Sequence, residues 1–209
     1  MKNDKIVLYT HAGSGNHGCE AIVNSLCKLL PKPAVLVTNR PAEDEAYSLK
    51  SLCSEIIGER SIEKNVLIHA FYYAKRLLFR DPECFMRYRY GAVCGKNLRR
   101  LNISIGGDNY CYENMLDRLM LANRMFHRQG AKTVLFGCSI EPELLKRPEI
   151  AEDMKRYDAI VARESLTYQA LQDAGVRDNV FLYPDPAFLL ETKELPLPQG
   201  WTQGKMLGL

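Results

Sequence analysis

The sequence predicts an α/β domain, a Rossmann-like doubly wound parallel sheet, on three observations. Short apolar, β-branched runs alternate with amphipathic stretches along most of the 209 residues, the pattern of a parallel sheet with helices on both faces. The first run leads into a glycine-rich turn that opens a helical pattern. Composition is that of an ordinary globular protein, with 46% hydrophobic and 25% charged residues.

The elements follow in order. Ile6-Val7-Leu8-Tyr9 reads as the first strand. Residues 20–30 read as a helix, with Ile22, Val23, Leu26, Cys27 and Leu30 on one face and Pro31 ending it. Residues 34–37, 101–105, 133–136, 159–162 and 180–183 read as later strands. The helices between them are expected at 113–129, closed by Gly130, at 148–157, and at 164–174, closed by Gly175. Residues 61–80 are apolar and aromatic but carry Lys75, Arg76 and Arg80; they read as a helical insertion that covers the sheet and turns its basic residues outward.

This organisation divides the chain into a Rossmann-like N-terminal domain over residues 1–190, with a basic helical insertion at 61–100. A linker rich in proline and glycine follows at 191–204, and 205–209 read as the start of a missing C-terminal domain.

The net charge of +3 gives no case for nucleic acid. Its distribution is uneven. Residues 64–100 hold nine Lys and Arg against two acids, a local +7 that leaves −4 for the rest. Such an island suits a phosphorylated substrate, an acidic glycan or a membrane surface. Seven cysteines, none at CxxC spacing, and an N-terminus without the apolar core of a signal peptide predict reduced thiols in a cytoplasmic protein. Peripheral attachment to the inner face of the membrane stays open. His11 and His17 are not at metal-ligand spacing on any regular element, so neither a metal nor a cofactor is expected.

Five loops carry polar groups suited to chemistry. In His11-Ala12-Gly13-Ser14-Gly15-Asn16-His17-Gly18-Cys19-Glu20-Ala21, the glycines Gly13, Gly15 and Gly18 match a phosphate-binding turn, and Asn16 and His17 are bulky enough to touch a ligand themselves. Glycine serving a tight turn alone is the other reading. The following strand ends in Val37-Thr38-Asn39-Arg40 without the acid that would hold a ribose, which counts against a nicotinamide cofactor. Ser104-Ile105-Gly106-Gly107-Asp108-Asn109-Tyr110 places two glycines and an acid at a strand's C-terminal end. Asp108 there is a candidate general base or sugar-orienting group, or else a helix cap, with Asn109 beside it. Ser139 and Glu141, after the next strand, suit substrate or a cap. Arg163 suits an anion clamp or a salt bridge to Glu164 or Asp185, and Asp185 suits the cleft or a cap.

Taken in order, Gly13 to Ala21, Ser104 to Tyr110, Ala162-Arg163-Glu164-Ser165 and Pro184-Asp185-Pro186-Ala187-Phe188 resemble the polysaccharide pyruvyl transferase family. The resemblance runs from Ile6 to about Leu190 and corresponds to the family's N-terminal half. It implies one half of a two-domain fold similar to the B-type glycosyltransferases, with the active site between the lobes. It also implies transfer of a pyruvyl group from phosphoenolpyruvate onto a glycan or lipid-linked sugar as a ketal, in the making of capsule or exopolysaccharide. Asp108 would then be the catalytic residue, with Gly13, Gly15, Asn16, His17, Gly18, Gly106, Gly107, Asn109, Ser139, Glu141, Arg163 and Asp185 binding substrate. The basic residues expected to grip phosphoenolpyruvate belong to the second half, so this chain alone is expected to be inactive. A nucleotide-sugar glycosyltransferase half-domain and a non-catalytic acidic-glycan-binding module are the alternatives.

Overall fold

The computed structural model describes residues 5–61, 66–91, 100–194, 196–197, 199–202 and 204. Among them, seven strands form one sheet: β1 (Lys5–His11), β2 (Val35–Thr38), β3 (Glu55–Gly58), β4 (Arg100–Ser104), β5 (Lys132–Cys138), β6 (Ala159–Ala162) and β7 (Val180–Leu182). Every pairing is parallel, in the order β3-β2-β1-β4-β5-β6-β7. The chain winds outward from β1 to β3, then returns to lay β4 on the other side of β1. Direction of travel reverses there, and in open α/β sheets that reversal opens a crevice at the strands' C-terminal ends.

The helices are α1 (His17–Leu29), α2 (Pro41–Ala46), α3 (Val66–Phe79), α4 (Cys84–Arg89), α5 (Glu113–Arg128), α6 (Pro142–Leu145), α7 (Pro148–Met154) and α8 (Ser165–Asp173). Alternate residues of β1 serve opposite faces, as the pleat requires. Ile6 and Leu8 pack with Ile22, Val23 and Leu26 of α1, while Val7 and Tyr9 pack with Met86 of α4 and Met125 and Phe126 of α5. Both faces are therefore dry, which is why the strands read as unbroken apolar runs. A third cluster joins Leu135 and Ile160 to Leu116, Ile150 and Leu171.

The expected boundaries hold with small changes. Helix α1 begins three residues earlier than expected because Asn16 caps it, accepting from the Gly18 amide at 3.0 Å. It ends as expected, with Leu30 extended ahead of Pro31. Gly130 and Gly175 take positive φ of 70° and 76° just past α5 and α8. Strand β3 and the short helices α2 and α6 were not expected from the sequence, whereas α4 falls within the helical insertion expected at 61–100.

The expectation that residues 61–80 cover the sheet is not met. Helix α3 forms, but none of its residues is buried and its large apolar side chains face outward. Residues 62–65 and 92–99 of the insertion, and 205–209, read as the opening of another domain, lie outside the described residues. Among the described residues no helix is long and apolar enough to cross a membrane.

Candidate functional site

The crevice at the β1/β4 reversal has a volume of about 470 Å³ and is lined by four segments. Asn16, Gly18, Cys19 and Ile22 come from the start of α1, Gly106, Gly107 and Asp108 from the loop after β4, and Arg163, Asp185, Ala187 and Phe188 close the third side. After β7, a 3-10 helix (Pro186–Leu189) brings the chain back from the sheet's edge to rest on α1, which builds that third wall.

Arg163 is the centre of the site. Its Nε donates to Ser139 Oγ at 2.8 Å and its Nη1 to Asp185 Oδ2 at 3.1 Å, while Nη2 pairs with Asp108 Oδ1. The planar guanidinium thus holds two carboxylates and a hydroxyl from three different loops. Of the roles open to Arg163, the salt bridge to Asp185 is the one formed; Glu164 instead caps α8 through the Thr167 amide. Asp185 also accepts from the Ala187 amide at 2.9 Å, so it both caps and faces the cleft. Asp108 does not cap the helix that follows it: α5 is preceded by Tyr112, with no side-chain cap. The Asp108 side chain stays half exposed, and among the described residues only Arg163 binds it.

The loop bearing Asp108 is held from beneath. Thr10, at φ 67°, is a β-branched residue in the left-handed region, a conformation held only where its surroundings over-determine it. That backbone places Thr10 Oγ1 2.9 Å from Ser104 Oγ, where it accepts from the Ile105 amide at 3.2 Å and from Asn109 Nδ2 at 3.0 Å. Asn109 Nδ2 also donates to Ser104 Oγ at 2.8 Å. The loop wraps so tightly round Asn109 that a Cβ on Gly106 would lie 1.9 Å from Asn109 Oδ1. Gly106→Ala is therefore expected to expel the Asn109 side chain and cost about 1–3 kcal/mol, seen as a lower urea midpoint with an unchanged slope.

The predicted site residues divide into two groups. Asn16, Gly18, Gly106, Gly107, Asp108, Arg163 and Asp185 meet in the crevice, and Ser139 supports it through Arg163. Gly13, Gly15, His17, Asn109 and Glu141 are not among its lining residues. Gly13 and Gly15 turn toward α2, where a Cβ on either would come within 3 Å of Glu43 Oε2. The Ser14 amide donates to Asp44 Oδ1 at 2.9 Å and the Gly15 amide to Glu43 Oε2 at 3.2 Å, so the protein's own carboxylates occupy the place of a phosphate. His17 stacks edge-on against Tyr47 and bonds Glu20. Asn109 is buried in the network beneath, and Glu141 is exposed ahead of α6, its amide bonded to Tyr110 O.

Four lining residues were missed: Cys19, Ile22, Ala187 and Phe188. All lie within or next to motifs already singled out, but nothing in their chemistry marks them. Burial, with the nearby charges of Asp108 and Asp44, pushes the Cys19 thiol up, so it lines the crevice as a neutral group rather than as a nucleophile.

A search of curated proteins and one of solved structures each return no match. Comparison with protein families aligns residues 16–200 with the polysaccharide pyruvyl transferases. That span is most of the chain, not a fragment of it, and it takes in every residue that lines the crevice. The chain belongs to the polysaccharide pyruvyl transferase family.

Proposed function

We propose that the crevice is the acceptor side of a pyruvyl transferase site, in which phosphoenolpyruvate gives its three-carbon unit to two hydroxyls of one sugar on a polysaccharide or lipid-linked glycan. The observation that supports this reading most is the Asp108 carboxylate. One oxygen is fixed by Arg163 while the side chain remains half exposed to the crevice. A carboxylate so held is oriented to accept a hydroxyl proton.

The chemistry assigns roles as follows. Protonation of the enol carbon of phosphoenolpyruvate gives an oxocarbenium-like centre. A sugar hydroxyl adds to that centre and its proton passes to Asp108. The C–O bond to phosphate then breaks and the second hydroxyl closes the ketal, its proton leaving with the phosphate, while the proton on Asp108 returns to solvent, from which the enol carbon drew its own. Arg163 acts as a positioning residue rather than as the anion clamp of the sequence reading, since its guanidinium already bonds two carboxylates and a hydroxyl. Asp185 and Asn16, which line the same crevice, would bond further sugar hydroxyls.

Charge decides which substrate this side takes. Asp108 and Asp185 against Arg163 leave the lining one charge negative, and among the described residues no other cation lines it. Such a surface suits neutral hydroxyls and repels a donor that carries both a carboxylate and a phosphate. The grip on the donor therefore falls to a second lobe facing this one.

Titration calorimetry tests the acceptor side. The 209-residue protein is expected to bind an oligosaccharide acceptor, to lose that binding in Asp108→Ala, and to bind phosphoenolpyruvate feebly. Tight phosphoenolpyruvate binding displaced by the glycan would sink the division of labour. The donor is tested on a protein carrying both lobes: phosphate release should require phosphoenolpyruvate and glycan together. Release of nucleotide from a nucleotide sugar, with phosphoenolpyruvate inert, would assign the site to a glycosyltransferase instead.

A further inference from the structure

Helix α3 is built inside out. A surface helix of a globular protein normally turns its apolar stripe to the core and its polar face to water. In α3 the inward contact is narrow: Tyr72 sets its ring 4.9 Å from that of Tyr88 and 5.9 Å from that of Phe85, both on α4. The other side is apolar and open. Val66, Ala70, Phe71, Ala74, Leu77 and Leu78 follow helical spacing on one face. The large members of that set are 62% to 82% exposed, and Leu67 beside them is 82% exposed.

The charges carried by the helix itself have one sign. The helix contains no acid, and Lys75 and Arg76, with Arg80 just past its end, supply three cations. Among the described residues none of the three takes part in an ion pair, whereas Arg87 and Arg89 of α4 are paired with Asp81, Glu83 and Glu59. An exposed apolar stripe flanked by Lys and Arg is the make-up of a helix that lies in the interfacial plane of a bilayer, its apolar side chains sunk among the acyl chains and its cations among the headgroups. Fourteen residues give a contact about 21 Å long.

We propose that this face of α3 docks the protein on an anionic lipid surface. Charge complementarity favours lipid phosphate over a second copy of the chain, because a two-fold pairing of α3 would set three cations against three with no acid on the helix to offset them. The inference is independent of the reaction assigned to the crevice, and its test requires no turnover.

Flotation with phosphatidylcholine vesicles, with and without phosphatidylglycerol, is the experiment. The 209-residue protein should float with the anionic vesicles, stay behind with the neutral ones, and be released by rising salt. Phe71→Glu/Leu78→Glu should reduce the floated fraction about tenfold or more with an unchanged circular dichroism spectrum, as should Lys75→Glu/Arg76→Glu. Flotation of Phe71→Glu/Leu78→Glu equal to that of the parent would overturn the proposal. So would a parent that ignores anionic vesicles yet forms a dimer that Phe71→Glu/Leu78→Glu abolishes, since that outcome gives the face to a second copy.

Discussion

Asp44→Ala, on the helix α2 that fills the glycine turn, is expected to lower the unfolding free energy by about 3–5 kcal/mol. Asp44 is fully buried, and its Oδ1 accepts from the Ser14 amide at 2.9 Å, from Ser14 Oγ at 2.6 Å and from His11 Nε2 at 2.9 Å. Removing the carboxylate leaves three buried donors without their acceptor, and each orphaned group carries its own desolvation cost. It also frees α2 from the turn that leads into α1. The effect should depend on pH. Burial pushes the Asp44 carboxyl up, but hydrogen bonds from Ser14, Thr38 and His11 outweigh it and leave the value below the ordinary 3.8. A lowered folded-state value means that the stabilisation is fully present above pH 3.8 and is lost as pH falls through the folded value. Urea midpoints of the two proteins should therefore differ most near neutrality and converge in acid. A constant gap across that range would show that the loss comes from packing and not from the charge.

Asp108→Asn should lower the rate of pyruvyl transfer by about 10²–10⁴-fold in a protein carrying both lobes, with little change in KM for the donor. The substitution is chosen because asparagine keeps an oxygen for Arg163 Nη2, so the three-loop bridge survives while the proton acceptor is removed. Phosphate release from phosphoenolpyruvate in the presence of glycan reports the rate, and a thermal melt matching the parent confirms that the fold is intact. Retention of more than about a tenth of the parent rate would remove Asp108 from the role of base, leaving it as a sugar-binding group only.

The sheet was legible where burial on both faces wrote long apolar runs, as in Ile6-Val7-Leu8-Tyr9 and residues 133–136. Strand β3 was not, because Glu55-Ile56-Ile57-Gly58 is a half-exposed edge strand of four residues with no core pattern. The crevice was legible for a geometric reason: parallel strands deliver all their C-terminal loops to one rim, so Asn16, Asp108, Arg163 and Asp185 had to emerge on the same side. What the glycines of the turn face was hidden. Their partners, Glu43 and Asp44, sit about thirty residues away on α2, a helix too short to show periodicity. The same motif that suggests an open cradle for a phosphate is filled from within. Helix α3 misled for the opposite reason: its periodicity is genuine, but the pattern does not say which way the apolar face points.

The strand order also governs when the molecule can come into being. Lys5 pairs with Arg100 and Tyr9 with Ser104, so the seam at the middle of the sheet cannot close until the chain about 95 residues beyond each β1 position has been made. Until then β1 has a neighbour on one flank only, and Ile6 and Leu8 wait for Ile103 and Ile105 to complete their cluster. Closing so distant a contact is entropically slow. A nascent chain halted before residue 100 would hold a half-zipped sheet with a bare apolar margin, the kind of species that chaperones exist to shield.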